Sequence, residues 1–192
     1  MYWLSLVITL ALTAMPAAPQ KKLGEARRLT APESFSINAN VTGTTGAAAS
    51  VITIKVDKYS TDADRKAVED ALKQGNAAFL AALAKAPVVG TLSMSGTTTN
   101  IRWAREEPLA NGRTIVLVTD KPVYFVGGGA IAPKAREGYD VALVKFRMDD
   151  SGVGYDGTMA AAAKVKVGAT GIEVEDYGDK LIELRTVTRA IK

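Results

Sequence analysis

An alternation of period two runs through most of this chain and constrains its fold more than any other feature. In Val51–Lys58 (VITIKVDK), Ile52, Ile54 and Val56 share one face while Thr53, Lys55 and Asp57 share the other. In Ala142–Asp149 (ALVKFRMD), Ala142, Val144, Phe146 and Met148 oppose Lys145 and Arg147. Ile172 and Val174 oppose Glu173 and Glu175, and in Leu181–Thr188 (LIELRTVT) Ile182 and Leu184 oppose Glu183 and Arg185. Successive side chains of a strand point to opposite sides, so the pattern requires strands with one face on a core and one in water. Thr114–Thr119 (TIVLVT) is apolar on both faces and belongs in a central strand, or in one covered on both sides.

Turn residues punctuate these runs. Asn111-Gly112 is a hairpin signal, because a type I′ turn needs positive φ at both central positions. Asp150-Ser151-Gly152 joins the 141–149 strand to Val153–Val167, and Gly168–Gly171 and Tyr177–Asp179 mark the next two breaks. From residue 141 onward the chain therefore reads as an antiparallel meander of about four strands.

One segment departs from the pattern. Between Thr61 and Ala86, Val68, Leu72, Phe79, Leu80 and Leu83 recur at helical spacing. Thr61 with Asp64 three residues on forms an N-capping signal, Asp62 suits the positive end of the helix dipole, and Pro87 ends the run. Gly75-Asn76 offers a point at which it divides into two short helices, since glycine inside a helix costs about 1 kcal/mol relative to alanine. Such a helical insert is expected to pack across the open face or mouth of the sheet. The fold class is therefore α+β: mainly antiparallel β, barrel- or sandwich-like, with about 8–10 strands and a helical segment near residues 61–86.

The chain divides into three stretches. Residues 1–18 (MYWLSLVITLALTAMPAA) carry no charged side chain, and the run Leu4–Ala14 has the length of the apolar region of a signal peptide rather than of a membrane span. Ala17 and Ala18 mark a cleavage point. No Lys or Arg precedes the apolar run, and Lys21, Lys22, Arg27 and Arg28 follow it. A start at Met15 and a buried N-terminal helix are the competing interpretations. Residues 19–32 form a basic, proline-containing leader, and residues 33–192 a single β-rich domain, large enough to hold itself together without a metal or disulfide.

Composition excludes several chemistries. The 192 residues include no His and no Cys, which removes thiol nucleophiles, Ser–His and Cys–His machinery, disulfides, thiolate zinc and imidazole metal sites. Lys plus Arg number 24 against 20 Asp plus Glu, a net charge of +4 that is too dilute for a nucleic-acid footprint. The Asn40-Val41-Thr42 sequon matters only in a glycosylating pathway.

The series Asp57–Arg65 (DKYSTDADR), Leu83–Leu92 (LAKAPVVGTL) and Ile101–Phe125 (IRWAREEPLANGRTIVLVTDKPVYF) resembles an uncharacterised family of small exported bacterial proteins. So do the strand Val141–Met148 before its Asp-Ser-Gly turn and the ending Ile172–Arg189, with its Glu175-Asp176-Tyr177-Gly178 turn. The resemblance implies an exported, single-domain, strand-rich protein. It carries no catalytic or binding residue with it.

Asp and Glu are the strong general bases that remain. They occur in pairs at Glu106-Glu107, Asp149-Asp150 and Glu173/Glu175, and the last pair shares one strand face. A suitably spaced pair could run glycoside hydrolysis. The simpler interpretation is a solvated face with cross-strand charge partners Lys180, Glu183 and Arg185 on the following strand. Asp149-Asp150-Ser151-Gly152 lacks the ligand spacing of a calcium loop and is a turn. Gly127-Gly128-Gly129 follows the strand Val123–Val126 without either phosphate-loop motif, and opens a loop running to about Gly138. That loop is the candidate mobile functional segment. Trp103 is placed on one strand face with Thr99, Ile101 and Arg105. With Tyr124 and Phe125 it could form a stacking surface, or Trp103 and Phe125 could be core with the arginines as solvated rim.

These observations together give the expectation of a non-catalytic exported domain, periplasmic or secreted, that binds a ligand or protein partner in the cell envelope. It would use no cofactor, and would be tethered to the membrane if residues 1–18 stay uncleaved. The alternative is a carboxylate-dependent hydrolase of an extracytoplasmic polymer.

Overall fold

A computed structural model describes residues 31–43, 46–123, 136–154, 156–177 and 181–190. The expected export segment, most of the leader, the glycine loop at 127–129, Tyr124, Phe125 and Lys180 lie outside the described residues.

The elements run β1 (Glu33–Gly43), β2 (Gly46–Val56), α1 (Asp62–Gln74), α2 (Asn76–Lys85), β3 (Gly90–Met94), β4 (Thr97–Leu109), β5 (Gly112–Thr119), β6 (Val141–Met148), β7 (Val153–Gly154), β8 (Gly157–Gly168), β9 (Gly171–Asp176) and β10 (Ile182–Ala190). Every pairing is antiparallel. The order β10-β1-β2-β3-β4-β5-β6-β8 returns to β10 through Ile182↔Met159 and Leu184↔Gly157, so these strands form a ring. β7 continues the β8 register along β10, with Val187↔Gly154, and β9 extends the far end of β8.

The alternation explains the interior. Phe35, Ile37, Ile52, Ile54, Ile115, Leu117, Val144 and Phe146 point inward and are fully or almost fully buried. Phe35 and Phe146 come from strands well apart in the ring, yet their rings meet edge to face at 5.2 Å. Eight strands enclose a space that side chains can just fill, and the inward side chains here are buried against one another.

Outside, the ring has two unlike walls. Val116, Val118, Val141, Leu143 and Ala160 make the outer face of β5, β6 and β8 apolar, and α1 and α2 cover it with Val68, Phe79 and Leu83. This is why Gly112–Thr119 is buried at every position. The helices thus lie against the outer wall, not across the mouth, because the apolar surface left to bury is there. The opposite wall is bare and hydroxyl-rich. Thr188, Ser36, Thr53, Ser93 and Thr98 face one another across five consecutive strands.

Local chemistry fixes the helices as the sequence indicates. Thr61 caps α1, its hydroxyl oxygen accepting the Asp64 N–H at 3.1 Å. Gly75, at φ 120°, ends α1 and starts α2. Arg102 Nη1 donates to the carbonyl of Ala86 at 2.7 Å, placing a cation at the C-terminal end of α2.

Two local expectations need correction. The β4–β5 hairpin forms where expected, but Leu109 pairs with Gly112, so its two loop residues are Ala110 and Asn111. Positive φ occurs at Gly112 (123°) and not at Asn111, so the turn does not have two positive-φ central residues. Ser95-Gly96, with φ of 49° and 78°, supplies that geometry between β3 and β4. The second correction concerns Trp103. A register shift between Ile101 and Trp103 inserts a bulge at Arg102, and an extra residue reverses the facing of the residues after it. Thr99 and Ile101 face the ring interior, whereas Trp103 joins the cluster under the helices.

Candidate functional site

Two charged clusters stand out, one closed and one open. The closed cluster plugs one mouth of the ring. Glu33 opens β1 on the same face as Phe35 and Ile37, and Arg113 opens β5 on the same face as Ile115 and Leu117, so both point inward. Arg113 grips Glu33 with two nitrogens, Nη1 to Oε1 at 2.9 Å and Nη2 to Oε2 at 2.5 Å. Nη1 also donates to Glu106 Oε2 at 2.6 Å, and Arg189 Nε lies 2.9 Å from Glu33 Oε2. The Glu33 side chain has no solvent exposure.

Tyr59 completes the plug. The segment after β2 crosses the end of the ring, where Ser60 N–H donates to the Ala104 carbonyl at 3.0 Å and the Ser60 hydroxyl accepts the Ala104 N–H at 3.0 Å. This brings the Tyr59 hydroxyl to donate to Glu33 Oε1 at 2.9 Å. Burial pushes the Tyr59 phenol well above its ordinary value; Arg113 opposes the rise and the Glu33 carboxylate adds to it. Burial by itself disfavours the Arg113 cation, but the hydrogen bonds it donates to Glu33 and Glu106 and the surrounding charges raise it above its usual value. Glu33 and Glu106 do approach each other through Arg113, the proximity a two-carboxylate mechanism needs. Each has its charge met by arginine.

The open cluster lies on the outer surface where β6, the β7–β8 junction and β10 meet. It is a groove of about 540 Å³. Lys145 and Arg147 form the β6 bank, Thr158 and Asp156 the middle, and Glu183 and Arg185 the β10 bank. The floor explains its place. Strands crowd at Gly157, where a Cβ would lie 2.8 Å from Phe146 Cβ and 3.0 Å from Leu184 Cβ. The inner face is therefore pinched at the ring seam. The outward side chains at the same junction line the groove.

Charge in the groove is unevenly satisfied. Glu183 and Arg185 pair at 3.0 Å, each two-thirds exposed, an arrangement that contributes little and yields readily to a competitor. Arg65, Arg102, Arg105, Arg113 and Arg189 all have acidic partners. Arg147 is exposed and has no acidic partner among the described residues, and neither has Lys145 beside it.

The carboxylate pairs singled out from the sequence are taken apart by the fold. Glu106 turns inward to Arg113, while its neighbour Glu107 turns outward to Arg105 at 3.2 Å. Asp149 caps the turn before β7, accepting from Ser151 Oγ at 2.6 Å and Val153 N–H at 3.0 Å. Those bonds, the Ser151 hydroxyl foremost, hold its carboxyl below the ordinary value. Glu175 pairs with Lys164 of β8 at 3.4 Å, so the partner strand is the preceding one and not the following one. Among the described residues no group of acids is arranged to hold a metal ion, and no helix is long and apolar enough to cross a membrane.

Glu33, Tyr59, Arg113 and Arg189 were not legible as a cluster, although a signal existed. Glu33 and Arg113 continue the apolar face of their strands by two residues, so the same alternation that assigns Phe35 and Ile115 to the core assigns them there too. For Arg147 no local signal existed, because its distinction is the absence of a tertiary partner. The chain matches no family model, curated protein or solved structure.

Proposed function

We propose that this protein is a non-catalytic binding domain of the cell envelope that engages its ligand or partner through its outer surface, at the groove of the ring seam. One observation carries the reading: the inward side chains of the ring and those beneath the helices are buried in two apolar clusters, and the two close inward carboxylates are bound by arginines. The groove offers volume within the usual range of ligand sites together with two cations, Lys145 and Arg147, that have no acidic partner among the described residues. Apolar side chains within and hydroxyls without are the reverse of a lipid-facing barrel, which favours a water-exposed domain. The uncharged apolar segment 1–18 supports export to the periplasm or beyond.

The test is co-sedimentation of the purified chain with envelope fractions of the producing cells. Retention that is lost on combined Lys145→Ala, Arg147→Ala and Arg185→Ala substitution is the expected result. Absence of retention overturns the reading. Release of soluble fragments from the envelope that stops on Glu106→Gln overturns it in favour of the hydrolase.

A further inference from the structure

The seam groove has a polarity of its own. On the β6 bank Lys145 and Arg147 are two positions apart on one strand, about 6.6–6.8 Å along it, and point the same way. Neither is neutralised by a described acid. In the middle and on the far bank stand the Thr158 hydroxyl, the Asp156 carboxylate and the Glu183–Arg185 pair. A ligand that satisfies all of these carries an oxyanion at one end and hydrogen-bond-donating hydroxyls beside it.

Resting on the binding reading above, we infer that the groove recognises a phosphorylated sugar or polyol. The planar Arg147 fork donates two parallel hydrogen bonds to a phosphate, a geometry that an ammonium cannot copy. Lys145 adds a point charge from the same bank. Asp156 and Glu183 accept from hydroxyl groups of the ligand. They also repel a bare anion, so inorganic phosphate is the weaker ligand. Exposure of the Glu183–Arg185 pair lets Arg185 turn to the incoming phosphate at small cost.

Calorimetric titration of the full chain with glycerol 3-phosphate, inorganic phosphate and glycerol tests this. Saturable binding is expected for glycerol 3-phosphate, about tenfold weaker binding for inorganic phosphate, and none for glycerol. Arg147→Gln should weaken glycerol 3-phosphate by about tenfold or more, and Arg147→Lys by several-fold, through loss of the fork. Asp156→Asn should weaken glycerol 3-phosphate but leave inorganic phosphate unchanged or tighter. Lys166→Gln, outside the groove, should change nothing. Failure of glycerol 3-phosphate to bind overturns the inference, as does equal loss with Lys166→Gln, which would indicate diffuse charge attraction. Groove-dependent retention on envelopes without phosphate binding would overturn the ligand class while leaving the binding reading in place.

Discussion

The mouth plug and the seam groove are built from the same kinds of residue and stand in opposite physical states. In the plug, Glu33, Glu106, Arg113 and Arg189 balance two negative charges against two positive ones, and Tyr59 donates to the most buried carboxylate. In the groove, Lys145, Arg147 and Arg185 face Asp156 and Glu183 in water, and the two cations of the β6 bank have no described acidic partner. A buried charge must be met by its surroundings or the fold does not form, so full pairing there is a condition of stability. An exposed cation is under no such demand. Function is therefore sought where pairing is incomplete, and the number of charged residues gathered in one place is a poor guide to it.

The comparison breaks first at Arg113. Arg113→Ala leaves Glu33 without its two-point partner in the ring interior and should cost about 3–5 kcal/mol in urea unfolding. A loss as small as that of a surface substitution would mean the plug does not hold the ring. Tyr59→Phe removes one hydrogen bond to a buried carboxylate and should cost about 1.5–3 kcal/mol near neutrality. Its pH signature is separable. Because the folded phenol titrates above the unfolded value of about 10, its contribution is complete below that pH and is lost as pH rises further. Stability of the native chain should then fall more steeply above about pH 10 than that of Tyr59→Phe, as read by denaturant midpoints at each pH.

Gly157→Ala connects the two clusters, since the added methyl enters the crowded seam beneath the groove. Overpacking of this kind should cost about 1–3 kcal/mol, with a matching fall in melting temperature. The smallest effect is expected at Arg147, where alanine should shift stability by no more than about 0.5 kcal/mol while abolishing groove-dependent retention. A large destabilisation there would place Arg147 with the structural arginines and dissolve the contrast.

Much of the architecture was readable from the chain alone. Alternation in Val51–Lys58, Ala142–Asp149 and Leu181–Thr188 indicated antiparallel strands, although in β6 only Lys145 and Arg147 lie on a wet face because the helices cover Val141 and Leu143, and the two-sided apolar run Thr114–Thr119 announced a strand covered on both sides. Thr61, Asp64, Gly75 and Pro87 delimited the helices, because caps and breakers act within a few residues of themselves. Turn position was less secure. Asn111-Gly112 signalled a hairpin, but pairing of Leu109 with Gly112 moved its centre by one residue.

Other features belong to the tertiary structure. Alternation is the same in a sandwich and in a ring, and it is the pairing of Leu184 with Gly157, residues far apart in sequence, that joins β10 to β8. The bulge at Arg102 sent Trp103 outward, and helix placement followed from which outer wall remained apolar. The identity of the paired and unpaired arginines was decided last. A side chain's local sequence states its charge and its facing, whereas its partner is set by strands that meet only when the ring closes.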